Sequence, residues 1–190
     1  MTGKRGRPSA AERLERHERV IDVVIALLTT QGYDAVTFDR VSVDAHVAKR
    51  TLYADFDDRT GLVRAAVRRQ HAYLDGTWQS ADDLRAASVA VVTHLLSDEA
   101  IAVHRAIVAD AGANAALAAE FYDEGPGRAQ RFLAQFLPAD AAAPAELVFT
   151  ALLGEPHRRR LLGLAPALTS AEIDAHVNRT LRALGVAGAG

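Results

Sequence analysis

The chain has 190 residues, 49% apolar and 24% charged, enough length to bury a core and the balance of a folded, water-soluble protein. It has no cysteine, which excludes disulfides and thiolate metal sites, and the apolar run Val23 to Leu28 falls far short of the roughly 20 residues that span a bilayer. The net charge of −2 hides an asymmetry: residues 1–70 hold 13 Lys/Arg against 10 Asp/Glu, and residues 71–190 hold 9 against 14, so the N-terminal part is the one suited to a polyanion.

Alanine, leucine and arginine dominate and no alternating apolar segment persists, so the pattern predicts an all-α fold of about nine helices. The first ten residues read as a flexible basic arm carrying Lys4, Arg5 and Arg7. Charged residues follow it, not the apolar stretch of a secretory signal, and a cytoplasmic location is expected. A first helix fits Ala11 to Gln31, with Val20, Val24, Leu27 and Leu28 on one face and Gly32 as its stop. Thr37 can cap a short helix ending near Ala45, and a second short helix spans Lys49 to Phe56 after a turn at His46-Val47. Asp58 can cap the next, whose stripe Leu62, Val63, Ala66, Val67 runs on toward Trp78. Longer core helices follow, around Leu84 to Leu95 and Ile101 to Ala111. Breakers at Gly112, Gly125-Pro126-Gly127, Pro138, Pro144 and Pro166 then mark segments near 117–137, 144–164 and 170–185, before a tail expected to fray. The expected division is arm 1–10, head 11–58 and helical body 59–190.

Residues Thr37 to Phe56 have the spacing of a helix-turn-helix. Phe38, Val41, Val47, Leu52 and Phe56 can fill one small core, which leaves Lys49, Arg50, Thr51, Tyr53 and Ala54 on the outer face, where a major groove would meet them. Arg50 suits a guanine edge. Lys49, Arg59 and the Tyr53 phenol suit phosphates, as do the free amides near Thr37. The arm either enters an adjacent minor groove or is a solvated tail.

Over about residues 11–70 the chain resembles the tetracycline-repressor family of bacterial regulators. The resemblance rests on Gln31-Gly32-Tyr33, Val47, the run Lys49-Arg50-Thr51-Leu52-Tyr53, Phe56 and Arg59. A second stretch, Phe121-Tyr122-Asp123-Glu124-Gly125-Pro126-Gly127, is similar to a segment in one branch of that family. The resemblance implies a ligand-binding and dimerisation body. It also implies a repressor that binds a palindromic double-stranded operator as a homodimer and is released by a small-molecule effector. Two positions depart from the family pattern: His46 stands where a glycine usually makes the turn, and Ala48 where a serine or threonine usually caps the recognition helix. Both changes predict a less rigid recognition helix. With the weak basic excess, they also motivate the alternative of a helical small-molecule-binding protein whose head has lapsed.

In the body, Tyr73, Trp78, His94, His104, Phe121, Phe132 and Phe149 are candidates for an apolar effector pocket, although each also fits plain core. No His-x3-His pair exists and His94 with Asp98 is the best metal-like spacing, so no metal or cofactor is expected. Arg158-Arg159-Arg160 reads most simply as a solvated helix face. The stripe Ile173, Val177, Thr180, Leu181, Leu184, with Leu147, Ala151 and Leu161 before it, suits a symmetric four-helix dimer interface or packing within one chain. Nucleophile elbow, phosphate loop, dinucleotide fingerprint and zinc-protease helix are all missing from the sequence, so no enzyme activity and no membrane partner are expected.

Overall fold

Local sequence signals start and stop nearly every helix. In the computed structural model, which describes residues 9–77 and 80–186 and the side chains outside 73–77, Ser9 and Glu12 form a reciprocal capping box at the start of α1 (Ala10–Gln31). Gly32 closes that helix by donating its N–H to the Leu27 carbonyl. A 3₁₀ turn, Tyr33–Ala35, leads to α2 (Phe38–Asp44), where the Thr37 hydroxyl accepts from the Arg40 amide at 3.2 Å. Next come α3 (Lys49–Phe56) and α4 (Arg59–Thr77), the latter opened by Asp58 accepting from the Gly61 amide at 2.8 Å. Asp83, Ser97 and Asn114 cap α5 (Leu84–Leu95), α6 (Asp98–Asp110) and α7 (Ala115–Glu124). Then follow α8 (Pro126–Ala134), α9 (Ala145–Leu161) and α10 (Ser170–Ala183), the last with a Thr169/Glu172 capping box.

Among the described residues there are ten α-helices and no strand. The number exceeds nine because Gly125-Pro126 splits the segment expected at 117–137 into α7 and α8. Proline at the first position of α8 has no N–H to continue α7 and a φ already suited to starting a new helix. Lys4, Arg5, Arg7, Trp78 and the tail beyond Val186 lie outside the described residues, as does the side chain of Tyr73.

Apolar burial forms two clusters. The first joins α1 to α4 with Ala102, Val103, Ala106 and Ile107 of α6 and Leu117 of α7. The second joins α5, α8, α9 and α10. The head is therefore seated on α6. Each of its fully buried valines and leucines contributes about 1.5–3 kcal/mol by leaving water, so head and body share one packing unit across the division expected at residue 58.

The C-terminal helices correct two expectations. Ile173, Val177 and Leu181 are buried inside the chain's own second cluster, where α10 packs on α5 and α9, so this stripe is not presented to a second copy. Thr180, Leu184, Ala151 and Leu161 are half-buried and Leu147 is exposed. Of the three arginines, Arg158 and Arg159 are exposed, but Arg160 is 4% exposed and pairs with Asp98 at 2.6 Å. That ion pair ties α9 to the start of α6 and commits the carboxylate once paired with His94 as a metal-like spacing. α9 itself bends at Gly154 (φ 32°) before Pro156. Proline cannot donate to the Leu152 carbonyl, and that oxygen instead accepts from His176 Nε2 of α10 at 2.8 Å.

Candidate nucleic-acid interface and ligand cavity

The short helices α2 and α3 meet at a corner whose geometry follows from four residues. Val47 is buried under it, and the Ser42 hydroxyl donates to the Val47 carbonyl at 2.7 Å while the Val47 amide donates to the Ser42 carbonyl at 3.1 Å. His46 takes φ 54°, the left-handed conformation that a non-glycine residue adopts at a cost. Ala48 stands at the N-cap of α3 with no side-chain oxygen to receive an amide, as its sequence position implied. The Ser42 clasp has no counterpart in the sequence reading, because only the folded corner brings Ser42 to the Val47 carbonyl.

Beneath the corner Phe38, Val41, Leu52 and Phe56 are buried, and the rings of Phe38 and Tyr53 stack 4.2 Å apart. That stack fixes the Tyr53 ring while leaving the residue 54% exposed. Thr37, His46, Ala48, Lys49 and Arg50 are exposed on the same side, with Thr51 half-buried between them. Arg50 makes no ion pair or hydrogen bond among the described residues, and its guanidinium is available to a partner. Lys49 forms an ion pair with Asp39 of α2; both groups are solvated, and such a pair yields readily to a phosphate. Arg59 corrects an expectation. Its guanidinium lies 3.7 Å above the Tyr33 ring, donates to the Tyr33 carbonyl and pairs with Asp34, so it fastens α4 to the end of α1 and is not offered to a phosphate.

One glycine decides how α4 leaves this corner. A Cβ on Gly61 would stand 1.8 Å from the Phe56 carbonyl oxygen, so only glycine lets α4 cross so close to the end of α3. Further along, Arg64 and Arg68 of α4 both bond Glu120 of α7, at 3.0 and 3.1 Å.

Glu120 immediately precedes a cavity wall. A cavity of about 410 Å3 lies among α4, α6, α7 and α9. His104, Phe121 and Phe149 line it. His94 and Phe132 do not: Phe132 packs edge-on against Phe136 in the second cluster, and on α5 it is Leu95, not His94, that reaches the wall. Helical periodicity identifies an inward face, but not which of two interiors it meets. His71 and His157 also belong to the wall, and nothing in the sequence singles them out. His71 continues the α4 stripe one turn past Val67, where a histidine reads as core, and His157 follows Phe149 and Leu153 at four-residue steps along α9.

His104 Nδ1 and His157 Nε2 are 3.1 Å apart in a hydrogen bond, and His104 also packs against Phe121 with ring centroids 5.1 Å apart. His71 is 5% exposed, its Nδ1 has no partner, and the backbone of Gly125 comes so near that a Cβ there would stand 2.7 Å from His71 Nε2. Burial lowers the pKa of His104. It lowers His157 to about 4, aided by His104, and His71 to about 4, aided by His94 and Arg128. Near pH 7 these rings are neutral.

Comparison with known proteins gives matches along most of the chain. Residues 20–66 match the family model described as bacterial regulatory proteins, tetR family, and residues 82–185 match the C-terminal domain of AefR-like transcriptional repressors. The HTH-type transcriptional repressor KstR of Rhodococcus jostii (strain RHA1) is 36% identical over 61 residues, which span 32% of this chain and 29% of that protein. A tetR-family regulator from Mesorhizobium loti MAFF303099 superposes with a TM-score of 0.75 at 18% identity, covering 93% of this chain and 97% of its own, a likeness of fold. The flavonoid-responsive regulator FrrA superposes with a TM-score of 0.64 at 25% identity, covering 90% and 95%.

Proposed function

The chain belongs to the tetR family of bacterial regulatory proteins, DNA-binding regulators of transcription, and on that premise we propose how it works. It is a cytoplasmic repressor that holds a pseudo-palindromic operator as a homodimer and leaves it when a small molecule enters the cavity among α4, α6, α7 and α9. The observation that carries this reading is the face of α3: Arg50 unpaired, Lys49 and Tyr53 exposed beside it, and a fully apolar core holding them from behind. A guanidinium so placed suits the O6 and N7 of a guanine in a major groove, while Lys49, Tyr53 and the start of α2 at Thr37 position the phosphate backbone.

One such module contacts few bases, which is the physical reason for pairing two on a palindrome. With Ile173, Val177 and Leu181 spent inside the chain, the dimer surface falls to Leu147, Ala151, Leu161, Thr180 and Leu184, joined by Leu162, 67% exposed, and Leu164, 63% exposed. The basic arm precedes a head over residues 11–58, and the body over 59–190 carries effector site and dimer surface. Among the described residues no single helix is long and apolar enough to cross a membrane.

The link from cavity to head runs through α6, which lines the cavity and packs on α1, and through Glu120, which holds Arg64 and Arg68 of α4 beside the cavity residue Phe121. An effector that favours one setting of these helices shifts the spacing of the paired heads. A full-length structural relative that responds to flavonoids supports a small-molecule effector. A gel-shift with DNA flanking the chain's own gene, at low salt, tests the reading: it predicts a shift that disappears when one half of the palindrome is scrambled. No shift at low salt favours a ligand-binding protein with a lapsed head.

A further inference from the structure

The cavity wall has a chemical signature of its own. Among the described residues lining it there is no aspartate, glutamate, lysine or arginine, so no fixed charge is present to meet an ionic ligand. Leu95, Ile107, Phe121, Phe149 and Leu153 make most of the surface apolar. The polar side chains of the wall are those of Gln70, His71, His104, Tyr122 and His157, and two of the histidines bond each other.

The hydrogen bond between His104 Nδ1 and His157 Nε2 restricts what remains. If His104 donates, its Nε2 is a bare lone pair and His157 Nδ1 carries a proton. If His157 donates, the two roles exchange. Either arrangement leaves the neutral pair one N–H and one acceptor nitrogen, with no other hydrogen bond to either ring among the described residues. A carboxylate needs two donors and an ammonium needs acceptors alone, so each mismatches one nitrogen. A hydroxyl can donate to the bare nitrogen or accept from the N–H, so it can bond whichever of the two it meets in either tautomer. His71, 5% exposed, lines the same cavity, and its Nδ1 is buried without a hydrogen-bond partner. Charging these rings is opposed by burial, which holds His71 and His157 near 4, so an anionic ligand would have to bring a proton with it.

We propose that this cavity selects an uncharged, mainly apolar molecule bearing a hydroxyl group, with the His104–His157 pair as the polar anchor. This rests on the cavity being the effector site proposed above. Both histidines of the pair are specificity-determining through direct contact, and Phe121 and Phe149 supply the apolar grip.

Four bicyclic probes of matched shape test it by calorimetry on the full chain at pH 7.5: 2-naphthol, naphthalene, 2-naphthoate and the 2-naphthylmethylammonium ion. The expected order places 2-naphthol first by about tenfold or more over naphthalene, with both ions weaker than 2-naphthol and no proton uptake on binding the naphthol. His104→Phe and, separately, His157→Phe should reduce 2-naphthol affinity to that of naphthalene while naphthalene binding persists, which shows that the variant cavity is still folded. Tighter binding of either ion, equal binding of naphthol and naphthalene, or no binding of naphthol up to its solubility overturns the proposal. Operator binding is measured on the same preparation. A protein that shifts DNA but ranks the probes otherwise loses the ligand class and keeps the regulator, and one that ranks them as expected without shifting DNA does the reverse.

Discussion

At the level of single residues, the DNA-reading corner pays twice for its composition. His46 sits at φ 54° and Ala48 leaves the first amides of α3 without a side-chain cap. Serine at position 48 restores the cap, so Ala48→Ser should raise the melting temperature, with a gain of about 0.5–2 kcal/mol. His46→Gly should add a smaller gain, because relief of the left-handed conformation is partly offset by a more flexible unfolded chain. Thermal unfolding followed by circular dichroism reads both, and an unchanged melting temperature for Ala48→Ser would mean that another group already caps α3. These two residues were legible in the sequence because the turn and cap positions of a helix-turn-helix each demand a particular chemistry. Arg59 was not: its sequence position suits a phosphate equally well, and only the folded approach of Tyr33 and Asp34 shows where its charge goes.

At the level of elements, helix boundaries were readable wherever a cap stands beside an apolar stripe. Lys49–Phe56 is found at its expected ends, and Ala10–Gln31 and Phe38–Asp44 within a residue of theirs. What failed was deciding which interior an inward face meets. The α10 stripe looked free for a partner and is covered by α5, and Phe132 turned to the second cluster instead of the cavity. The close crossing of α3 and α4 gives a sharp expectation: Gly61→Ala places a methyl 1.8 Å from the Phe56 carbonyl oxygen, forces the helices apart, and should cost about 1–3 kcal/mol or more together with operator binding. Unfolding curves and gel-shifts of that variant check it; native stability would contradict the crossing. The basic arm is tested by deleting residues 1–8. If Lys4, Arg5 and Arg7 meet phosphates, the slope of log affinity against log salt becomes shallower by about 0.9 per lost contact. An unchanged slope makes the arm a solvated tail.

For the whole molecule, the buried imidazoles link stability to pH. His71 and His157 are held near 4 in the folded chain, and His94 and His104 are also lowered, chiefly by burial. Unfolded histidines bind protons near 6.5. The unfolded state therefore holds more protons between these values, and the stability present above about pH 6.5 is lost as pH falls toward 4. His71 alone, 5% exposed, accounts for about 3 kcal/mol of that loss at its limit. The melting temperature should be flat from pH 7 to 8 and fall steadily below 6.5, and a flat profile down to pH 5 would contradict neutral, buried rings.

Operator recognition depends on α3 reading base edges through Arg50, and fluorescence anisotropy of operator DNA with native protein and Arg50→Ala, compared at several salt concentrations, tests it most directly. The expected result is a loss of about 1–3 kcal/mol of operator affinity for Arg50→Ala, with less discrimination at one base pair of each half-site. Binding to unrelated DNA should be only slightly weakened. Equal operator affinity and discrimination in the two proteins would contradict it.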